Sequence, residues 1–354
     1  MRFVFHPASS RVVFGVGCIA RLPEETDLLG AKRVLLVGTP GRSELLHRVR
    51  ELLGERAVGT FDGAVVHVPD KVAASARDAA LVQRADAILA VGGGSAIGVA
   101  KAIALTNDLP IIALPTTYSG SEMTPLWGLT QDGTKQTGRD PRVQPRTVLY
   151  DPELTLDLPV PVSAASGMNA IAHCVEALYA PDANPVTSWM AEEGIRALAT
   201  SLPAIVESPG DITARTRAMY GAWLAGAALG AVQMGLHHKL CHTLGGSFNL
   251  PHAETHSVLL PYTAAYNMNA AGEAMDTVAR ALGVGPAPRA LYDLGRRIGT
   301  PASLSEIGMR SPDLERATDL AVDRPYPNPR PVTRDAVLAL LQNAFKGFPP
   351  AAIG

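Results

Sequence analysis

This chain of 354 residues contains few cysteines and few aromatic residues, and neither charge sign is in large excess. Only three residues are cysteines, Cys18, Cys174 and Cys241, and an odd number at unrelated spacings argues against a framework of disulfide bonds. Charged residues make up 18% of the chain, and the formal net charge is −2. Because Lys and Arg do not cluster, the chain lacks the basic surface that nucleic acids require, and we expect no such partner.

Long apolar runs are also missing. The stretch AWLAGAALGAVQMGL, which begins at Ala222, is interrupted by Gln233 and is shorter than the roughly 20 residues that span a bilayer. We interpret it as a buried helix. The first residues, MRFVFHPASSR, contain no apolar segment of a secretory signal. Together with the few cysteines, these features predict a cytoplasmic protein without membrane contact.

The first half of the chain alternates β-rich runs with amphipathic helical runs, which predicts a parallel sheet with helices on both faces. The predicted strands cover 33–39, 63–68, 87–93 and 111–117. The predicted helices cover 43–54, 70–84 and 95–106, with Ser43 as the N-cap of the first.

The alternation of predicted strands and helices ends near Asp157, and the rest of the chain shows helical patterns only. The longer predicted helices cover 163–180, 185–206, 212–246 and 253–269. We therefore predict an α/β, Rossmann-like dinucleotide-binding domain at 1–157, followed by an all-helical catalytic domain at 158–354.

A run of three glycines separates a predicted strand from a predicted helix. In LAVGGGSAIG, the residues Gly92, Gly93 and Gly94 come directly before Ser95. Glycine lets the backbone approach a ligand closely, and free N–H groups at a helix start attract an anion such as a pyrophosphate. The spacing is not G-x-G-x-x-G, so the run indicates either a nucleotide site or a turn that only packs the helix tightly on its strand.

A second glycine-bearing loop, LPTTYSGSEMT at 114–124, also follows a predicted strand. Its hydroxyl groups belong to Thr116, Thr117, Tyr118, Ser119 and Ser121. Because ligands of open parallel sheets bind at the carboxyl ends of the strands, two such loops favour the nucleotide site.

Four histidines lie within the eighteen residues from 235 to 252, and His256 follows. Residues four apart share one face of a helix, which aligns His238 with His242. After Pro251, His252 is expected to start the next helix.

On an earlier predicted helix, the same spacing aligns Asn169 with His173. We therefore expect His173, His238 and His252 to converge from three helices. Such imidazoles suit zinc or iron(II), but Asn169 offers only a neutral carbonyl oxygen where a metal site needs an anion. The sequence thus predicts a polar site of histidines without a strong metal site. We interpret His237 and His256 as residues that either lie on a helix face or support the site histidines from behind.

Six motifs, in order over nearly the whole chain, resemble the iron-containing alcohol dehydrogenase superfamily with its glycerol dehydrogenase and dehydroquinate synthase relatives. The motifs are GGGS (92–95), PTTYSGSE (115–122), Lys135, DPELT (151–155), GMNAIAHCVEALY (167–179) and HHKLCHTLGGSFNLPH (237–252). The resemblance implies the two-domain fold of that superfamily. It also implies a metal held by one Asp and three His, at positions Asn169, His173, His238 and His252, with His242 in proton transfer. Since Asn169 stands in the place of the Asp, we expect a vestigial site.

That departure, together with TTYSGSEMTPLWG, GRDPRV and LYAPDANP, is most similar to one branch of the superfamily, the maleylacetate reductases. The resemblance implies reduction of the carbon–carbon double bond of maleylacetate to 3-oxoadipate with NADH or NADPH, in aromatic-compound degradation. Hydride addition to an alkene conjugated to a ketone spreads charge into an enolate, which hydrogen-bond donors stabilise. We therefore expect that no metal is required.

The expected catalytic residues are His238 and His242, as oxyanion donor and general acid, with contacts from His173, His252 and Asn169. The expected cofactor-binding residues are Gly92, Gly93, Gly94, Ser95, Thr116, Thr117, Tyr118, Ser121, Lys135 and Thr39. Thr39 stands where NAD-preferring relatives often carry an acidic residue, and Arg42 is nearby, so NADPH is expected to be tolerated as well as NADH.

Three other functions stay open from the sequence. The first is a zinc- or iron-dependent alcohol or polyol dehydrogenase in which Asn169 ligates the metal, the second a lyase of the dehydroquinate synthase type, and the third a non-catalytic nucleotide-binding protein. The expected partners are a small dicarboxylate substrate and a second copy of the chain in a homodimer.

Overall fold

The computed structural model describes residues 2–6, 9–131 and 134–350, without the side chains of Thr134 and Lys135. The chain folds into two compact units. One is an α/β unit that ends at Leu158. The other is a helical unit formed by the chain from Pro159 onward, and residues 2–6 belong to it rather than to the α/β unit in which the sequence had placed them.

In the α/β unit, six strands form one parallel sheet in the order β1-β8-β5-β4-β2-β3, and β6 and β7 form a separate antiparallel hairpin. The strands are β1 (Arg11–Phe14), β2 (Val34–Gly38), β3 (Ala57–Phe61), β4 (Ala87–Gly92), β5 (Ile111–Pro115), β6 (Leu126–Gln131), β7 (Thr134–Arg139) and β8 (Thr147–Tyr150). The helices are α1 (Leu22–Leu28), α2 (Ser43–Leu53), α3 (Asp70–Val82) and α4 (Gly94–Asn107).

Both faces of this sheet are covered, which explains its continuous apolar strands. In β2, Val34 and Leu36 belong to one core cluster, while Leu35 and Val37 belong to a second. The alternation follows from the two-residue period of a strand. The central strands are therefore buried on both sides, and only their ends are available to a ligand.

The structure corrects two details of the predicted α/β region. The second strand is β3 at Ala57–Phe61 and not 63–68, where His67 and Val68 have positive φ angles of 63° and 44° that interrupt extended backbone. Ser43 is the first helical residue of α2, and the N-cap is Arg42, which makes no side-chain capping bond.

The sequence also missed the edge strand β1, its neighbour β8 and the hairpin of β6 and β7. The first two have only four residues each, and a pattern that short does not distinguish a strand from a loop.

The helical unit has nine helices among its described residues. They are α5 (Val160–Leu178), α6 (Pro185–Glu207), α7 (Ile212–Ala231), α8 (Leu236–Phe248), α9 (His252–Asn267), α10 (Gly272–Leu282), α11 (Ala287–Arg297), α12 (Leu314–Val322) and α13 (Arg334–Lys346). Buried side chains of α8, α9, α12 and α13 share one core cluster. Within the described part of the chain, no helix combines the length and apolarity needed to cross a membrane.

The helix predicted over 212–246 is in fact two helices. The chain leaves the helical conformation at Val232 (φ −132°, ψ 170°) and restarts after Gly235 (φ −116°, ψ −137°). A buried carboxylate, Glu176 of α5, accepts hydrogen bonds from the first N–H groups of the new helix. The break is therefore fixed by a residue about 60 positions away, which the local helical pattern does not reveal.

Candidate active site

The glycine run forms the turn between β4 and α4 at the carboxyl edge of the parallel sheet. Gly92 has a φ of 145°, a conformation that strongly favours glycine. Gly93 is extended and precedes α4 without a side-chain cap, while Gly94 is exposed at the first position of the helix. This leaves the first N–H groups of α4 available to an anion.

The second predicted loop packs directly against this turn. The N–H of Thr116 donates to the carbonyl oxygen of Gly92 at 3.2 Å. A Cβ atom added to Gly93 would lie 2.7 Å from Oγ1 and 2.8 Å from Cγ2 of Thr117. Glycine is thus required there for the close approach of the two loops. The structure brings the two sequence motifs together as one surface.

The other predicted cofactor residues occupy different environments around this edge. Thr39 follows β2, which pairs with β4, and is partly buried. Thr116 and Tyr118 are buried in the loop after β5, and Ser121 is half-buried at the start of a short 3-10 turn. Lys135 lies in β7, and its side chain is outside the described part of the structure.

A buried lysine, which was not predicted from the sequence, holds the loop after β5 in place. Lys101 of α4 donates from Nζ to the carbonyl oxygens of Ser121 (2.7 Å), Thr124 (2.8 Å) and Leu126 (2.7 Å). Burial lowers the pKa of Lys101 to about 7, although the carboxyl group of Glu122 opposes this shift. A single lysine in the apolar segment SAIGVAKAIALT was the available signal.

Glu122 anchors the same loop from within. Its Oε1 accepts from the hydroxyl of Tyr150 at 2.9 Å, and its Oε2 accepts from the hydroxyl of Ser119 at 3.2 Å. Burial raises the pKa of Glu122 despite these bonds, and burial together with Glu122 raises the pKa of Tyr150. The loop is therefore held by buried polar contacts and not by apolar packing alone.

In the helical unit, three helices bring together the histidines that the sequence singled out. The residues are Asn169, His173 and Glu176 of α5, His237, His238 and His242 of α8, and His252 and His256 of α9. Neighbouring imidazole rings lie with centroids 4.5 to 6.4 Å apart. His242 and His252 are half-buried, and the other four rings are buried, so only two histidines of the cluster present an appreciable surface.

A series of hydrogen bonds runs through this cluster from Asn169 to Glu176, and each residue donates to the next. The amide nitrogen of Asn169 donates to Nε2 of His173 at 3.2 Å. In a neutral imidazole the proton is then on Nδ1 of His173, which donates to Nε2 of His238 at 2.9 Å. The remaining N–H of His238, at Nδ1, donates to Oε2 of Glu176 at 2.5 Å. These three hydrogen bonds form without any charged imidazole.

Glu176 is the carboxylate of the site, and it lies behind His238 rather than beside Asn169. Its Oε1 accepts from the N–H groups of His237 at 2.8 Å and Gly235 at 3.2 Å, at the start of α8. Burial alone would raise the pKa of Glu176, but His238, His237 and the backbone N–H group lower it overall. The side chain is thus ionised at neutral pH and accepts from Nδ1 of His238.

Glu176 was not predicted as a site residue, although the sequence contains a signal for it. Glu176 follows His173 by three residues in HCVEALY, so both lie on the same face of α5. A charged residue on an otherwise apolar helix needs a buried partner, and His238 is that partner.

His237 and His256 are completely buried in the cluster, which agrees with the second of the two sequence interpretations and not with an exposed helix face. Nε2 of His237 and Nδ1 of His256 lie 2.9 Å apart. Burial lowers the pKa of His237 to about 3, and burial lowers the pKa of His256 well below its usual value. Both rings are therefore neutral at physiological pH.

Comparison with known proteins identifies the family. A model described as iron-containing alcohol dehydrogenase matches residues 9–152, and a model described as the C-terminal part of the Fe-containing alcohol dehydrogenase family matches residues 163–345. The chain belongs to the iron-containing alcohol dehydrogenase family. The family resemblance carried by the sequence motifs is thus confirmed.

Individual members of the family are similar over the whole length of the chain. A maleylacetate reductase of Burkholderia cepacia is 55% identical over 349 residues, 99% of each chain. Maleylacetate reductase 2 of Cupriavidus pinatubonensis is 54% identical, over 99% of this chain and 98% of the relative. The crystal structure of maleylacetate reductase from Agrobacterium tumefaciens, 47% identical, superimposes with a TM-score of 0.94 over 99% of this chain and 100% of the other. The predicted fold class is confirmed.

The iron in the family name raises the question of whether this chain holds a metal at the positions that the motif resemblance gives. As arranged here, they do not fit one: the nitrogens of His173 and His238 bond to Asn169, to Glu176 and to each other. An aspartate in place of Asn169 would put a carboxylate at both ends of this chain and so require a cation between them. With an amide at one end, neutral imidazoles suffice.

Within the described residues, the only group of three ligand-type side chains close enough for a metal is His237, Cys241 and His256, and the two imidazoles there bond to each other. On the other hand, the comparisons give no support to the prediction that the chain works without metal, because the family is named for iron.

We expect Lys101→Met to lower the free energy of unfolding by about 2–4 kcal/mol, because three buried carbonyl oxygens lose their donor. Urea unfolding measures the change. Lys71→Met, on the exposed surface of α3, is the control and should stay within about 0.5 kcal/mol of the native chain. An unchanged stability of Lys101→Met would show that the loop does not depend on this ammonium group.

Because His237 and His256 are neutral in the folded protein, we expect the free energy of unfolding to decrease at acid pH. The unfolded chain protonates His237 near pH 6.5, but the folded chain does so only near pH 3, so the unfolded state binds more protons between these values. The contribution to stability is fully present above pH 6.5 and is lost as the pH falls, by up to about 1.4 kcal/mol per pH unit for each buried histidine.

Urea unfolding between pH 7.5 and 4.5 measures this slope. His237→Gln should reduce it, whereas His47→Gln, at an exposed position of α2, should leave it unchanged. Equal slopes in the native chain and both variants would contradict the conclusion that His237 is held neutral by burial.

Proposed function

We propose that this chain is an NAD(P)H-dependent maleylacetate reductase, which reduces the carbon–carbon double bond of 2-maleylacetate to 3-oxoadipate in aromatic-compound degradation. One structural observation carries the reaction class: a buried cluster of hydrogen-bonding imidazoles that ends on an ionised carboxylate, with an amide at position Asn169. The substrate is supported by the names of relatives that are 50 to 55% identical over 99% of the chain.

The chemistry of this substrate suits such a cluster. Hydride addition to the alkene carbon distal to the ketone leaves an enolate, whose negative charge is shared between oxygen and carbon. Hydrogen-bond donors stabilise the enolate oxygen, and a proton then goes to the carbon next to the ketone. One hydride and one proton give the saturated product. A simple alcohol dehydrogenation instead concentrates charge on one oxygen, for which a metal ion is of greater value.

We assign His238 and His242 to the enolate oxygen and to proton delivery. His238 has the carboxylate of Glu176 at Nδ1. When bound substrate displaces the N–H of His173 from Nε2 of His238, this carboxylate stabilises the ring that carries a second proton at Nε2. His242 is half-buried, so a substrate can reach it. We assign His173, His252 and Asn169 to binding and orientation of the substrate carboxylates and the enolate.

We assign cofactor binding to the α/β unit, where the nicotinamide nucleotide, once bound, supplies the hydride. Gly92, Gly93, Gly94 and Ser95 fit a pyrophosphate, because the first N–H groups of α4 have no side-chain cap and Gly94 is exposed. The other residues assigned to the cofactor are Thr116, Thr117, Tyr118, Ser121, Lys135 and Thr39. At the end of β2, Thr39 carries no charge that would repel the 2′-phosphate of NADPH, so both nucleotides are expected to serve.

We also propose that residues 1–157 form the dinucleotide-binding domain and that residues 158–354 form the catalytic domain. The proposed protein is a homodimer in the cytoplasm, and it needs no metal. The last point is supported by the amide at Asn169 and by the hydrogen bonds that occupy His173 and His238. The homodimer rests only on the frequency of two-fold symmetric enzymes.

The main alternative is a metal-dependent alcohol or polyol dehydrogenase. It is favoured by the family name and by the likeness to a 1,3-propanediol oxidoreductase, 30% identical with a TM-score of 0.92 over 98% of this chain and all of the other. In that case Asn169 would ligate the metal through its carbonyl oxygen.

The assay that tests the proposal is oxidation of NADH, followed at 340 nm, with maleylacetate generated in place from a ring-cleavage precursor. The enzyme is first dialysed against a strong chelator, and a parallel sample receives zinc or iron(II). We expect the same turnover in both samples, with NADPH accepted as well. Turnover only after metal is restored, together with oxidation of short alcohols or glycerol, would instead favour the alternative.

Glu176→Gln tests the role of the carboxylate. The amide oxygen can still accept the N–H groups of α8, but the negative charge that supports a protonated His238 is lost. We expect kcat to fall by about 10- to 100-fold with little change in KM for NADH. Glu273→Gln, at the exposed start of α10, is the matched control. A kcat equal to that of the control would mean that Glu176 only caps α8.

A further inference from the structure

His256 lies inside the histidine cluster, although the motif resemblance assigns it no role. It follows His252 by one turn of α9 and is completely buried. Its ring centroid is 4.5 Å from that of His252, 5.0 Å from that of His238 and 5.8 Å from that of His173. The ring is therefore surrounded by side chains that we assign to the substrate.

The direction of its hydrogen bonds follows from Thr263. The single hydroxyl hydrogen of Thr263 is directed to carbonyl oxygens of the preceding turn, at 3.0 Å from Leu260 and 3.2 Å from Leu259. With the hydrogen in this position, the hydroxyl oxygen accepts from Nδ1 of His237, 3.0 Å away. The proton of this neutral ring is on Nδ1, and Nε2 of His237 is an acceptor.

The same logic fixes the tautomer of His256. Its Nδ1 lies 2.9 Å from Nε2 of His237, and two bare nitrogens at that distance would repel each other. Nδ1 of His256 thus carries the proton and donates. An imidazole whose one proton is on Nδ1 carries a lone pair and no proton at Nε2.

That lone pair has no hydrogen-bond partner among the residues that the structure describes. An unsatisfied acceptor at a fully buried position is unfavourable, and such sites are usually filled by a water molecule or a ligand. The half-buried ring of His252, with its centroid 4.5 Å from that of His256, offers a further polar contact for such a water.

We propose that Nε2 of His256 is the binding site for one water molecule, and that this water directs its second hydrogen to the substrate oxygen on which charge develops. Its first hydrogen satisfies the lone pair of His256, which fixes its orientation. His256 is then a positioning residue, held by His237 and Thr263, and no proton is transferred to it. The second half of this proposal rests on the proposed reduction of maleylacetate.

Two amide variants separate this role from a structural one. In His256→Asn, the amide nitrogen can replace Nδ1 and keep the bond to His237, but the acceptor at Nε2 is lost. In His256→Gln, the longer side chain can place its amide oxygen near the position of Nε2. Thermal unfolding, kcat and KM for NADH and maleylacetate are measured for both variants and the native chain.

We expect His256→Asn to unfold at the native temperature and to lose at least about tenfold in kcat, as for one hydrogen bond lost to a charged oxygen, with KM for NADH unchanged. His256→Gln should recover most of the loss. The opposite order, with Asn active and Gln impaired and destabilised, is expected of a purely structural histidine and would overturn the proposal.

A crystal structure of the native protein gives a test that is independent of activity. We expect one ordered water within about 3.2 Å of Nε2 of His256, and its absence in His256→Asn. No density at this position, or an anomalous signal from a bound metal, would overturn the proposal. If the water is present but the native enzyme does not reduce maleylacetate, the proposed function fails and the water site stands.

Discussion

The hydrogen bond between Glu176 and His238 is the contact on which the helical unit depends most. A carboxylate buried in an apolar helix is unfavourable unless both of its oxygens are bonded. Here one oxygen accepts from the first N–H groups of α8, and the other accepts from the imidazole of His238. The same side chain thereby sets where α8 begins, ties α5 to α8 and selects the tautomer of His238.

The direction of the hydrogen bonds then extends from Glu176 through the cluster. With Nδ1 of His238 as donor to the carboxylate, Nε2 must accept from His173, which in turn accepts from the amide of Asn169. An amide can end such a chain as a donor, whereas a carboxylate cannot. The exchange of Asp for Asn relative to the metal-dependent pattern is therefore consistent with the rest of the site, because it removes the need for a cation between two acids.

In the α/β unit, buried polar side chains likewise hold the loops at the carboxyl edge of the parallel sheet. Lys101 and Glu122 are buried and satisfied by main-chain carbonyls and by hydroxyl groups, and they hold the loop after β5 against the glycine turn after β4. Both units thus hold polar loops and helix ends in place through buried ionisable side chains that are hydrogen-bonded to main-chain groups and hydroxyls. Such groups have little freedom to reorganise, which suits a site that must be arranged before a ligand arrives.

Periodicity and glycine positions report on local structure, so the fold class could be predicted from the sequence, and the candidate site residues could be named. The four-residue spacing of Asn169 and His173 correctly predicted that they are neighbours on α5, since four residues make one helical turn. The break between α7 and α8, the partners of Lys101 and the contacts of Glu176, His237 and His256 became visible only in the folded chain. Those depend on contacts between residues 19 to 62 positions apart in the chain, and no local pattern encodes which side chains will meet across helices.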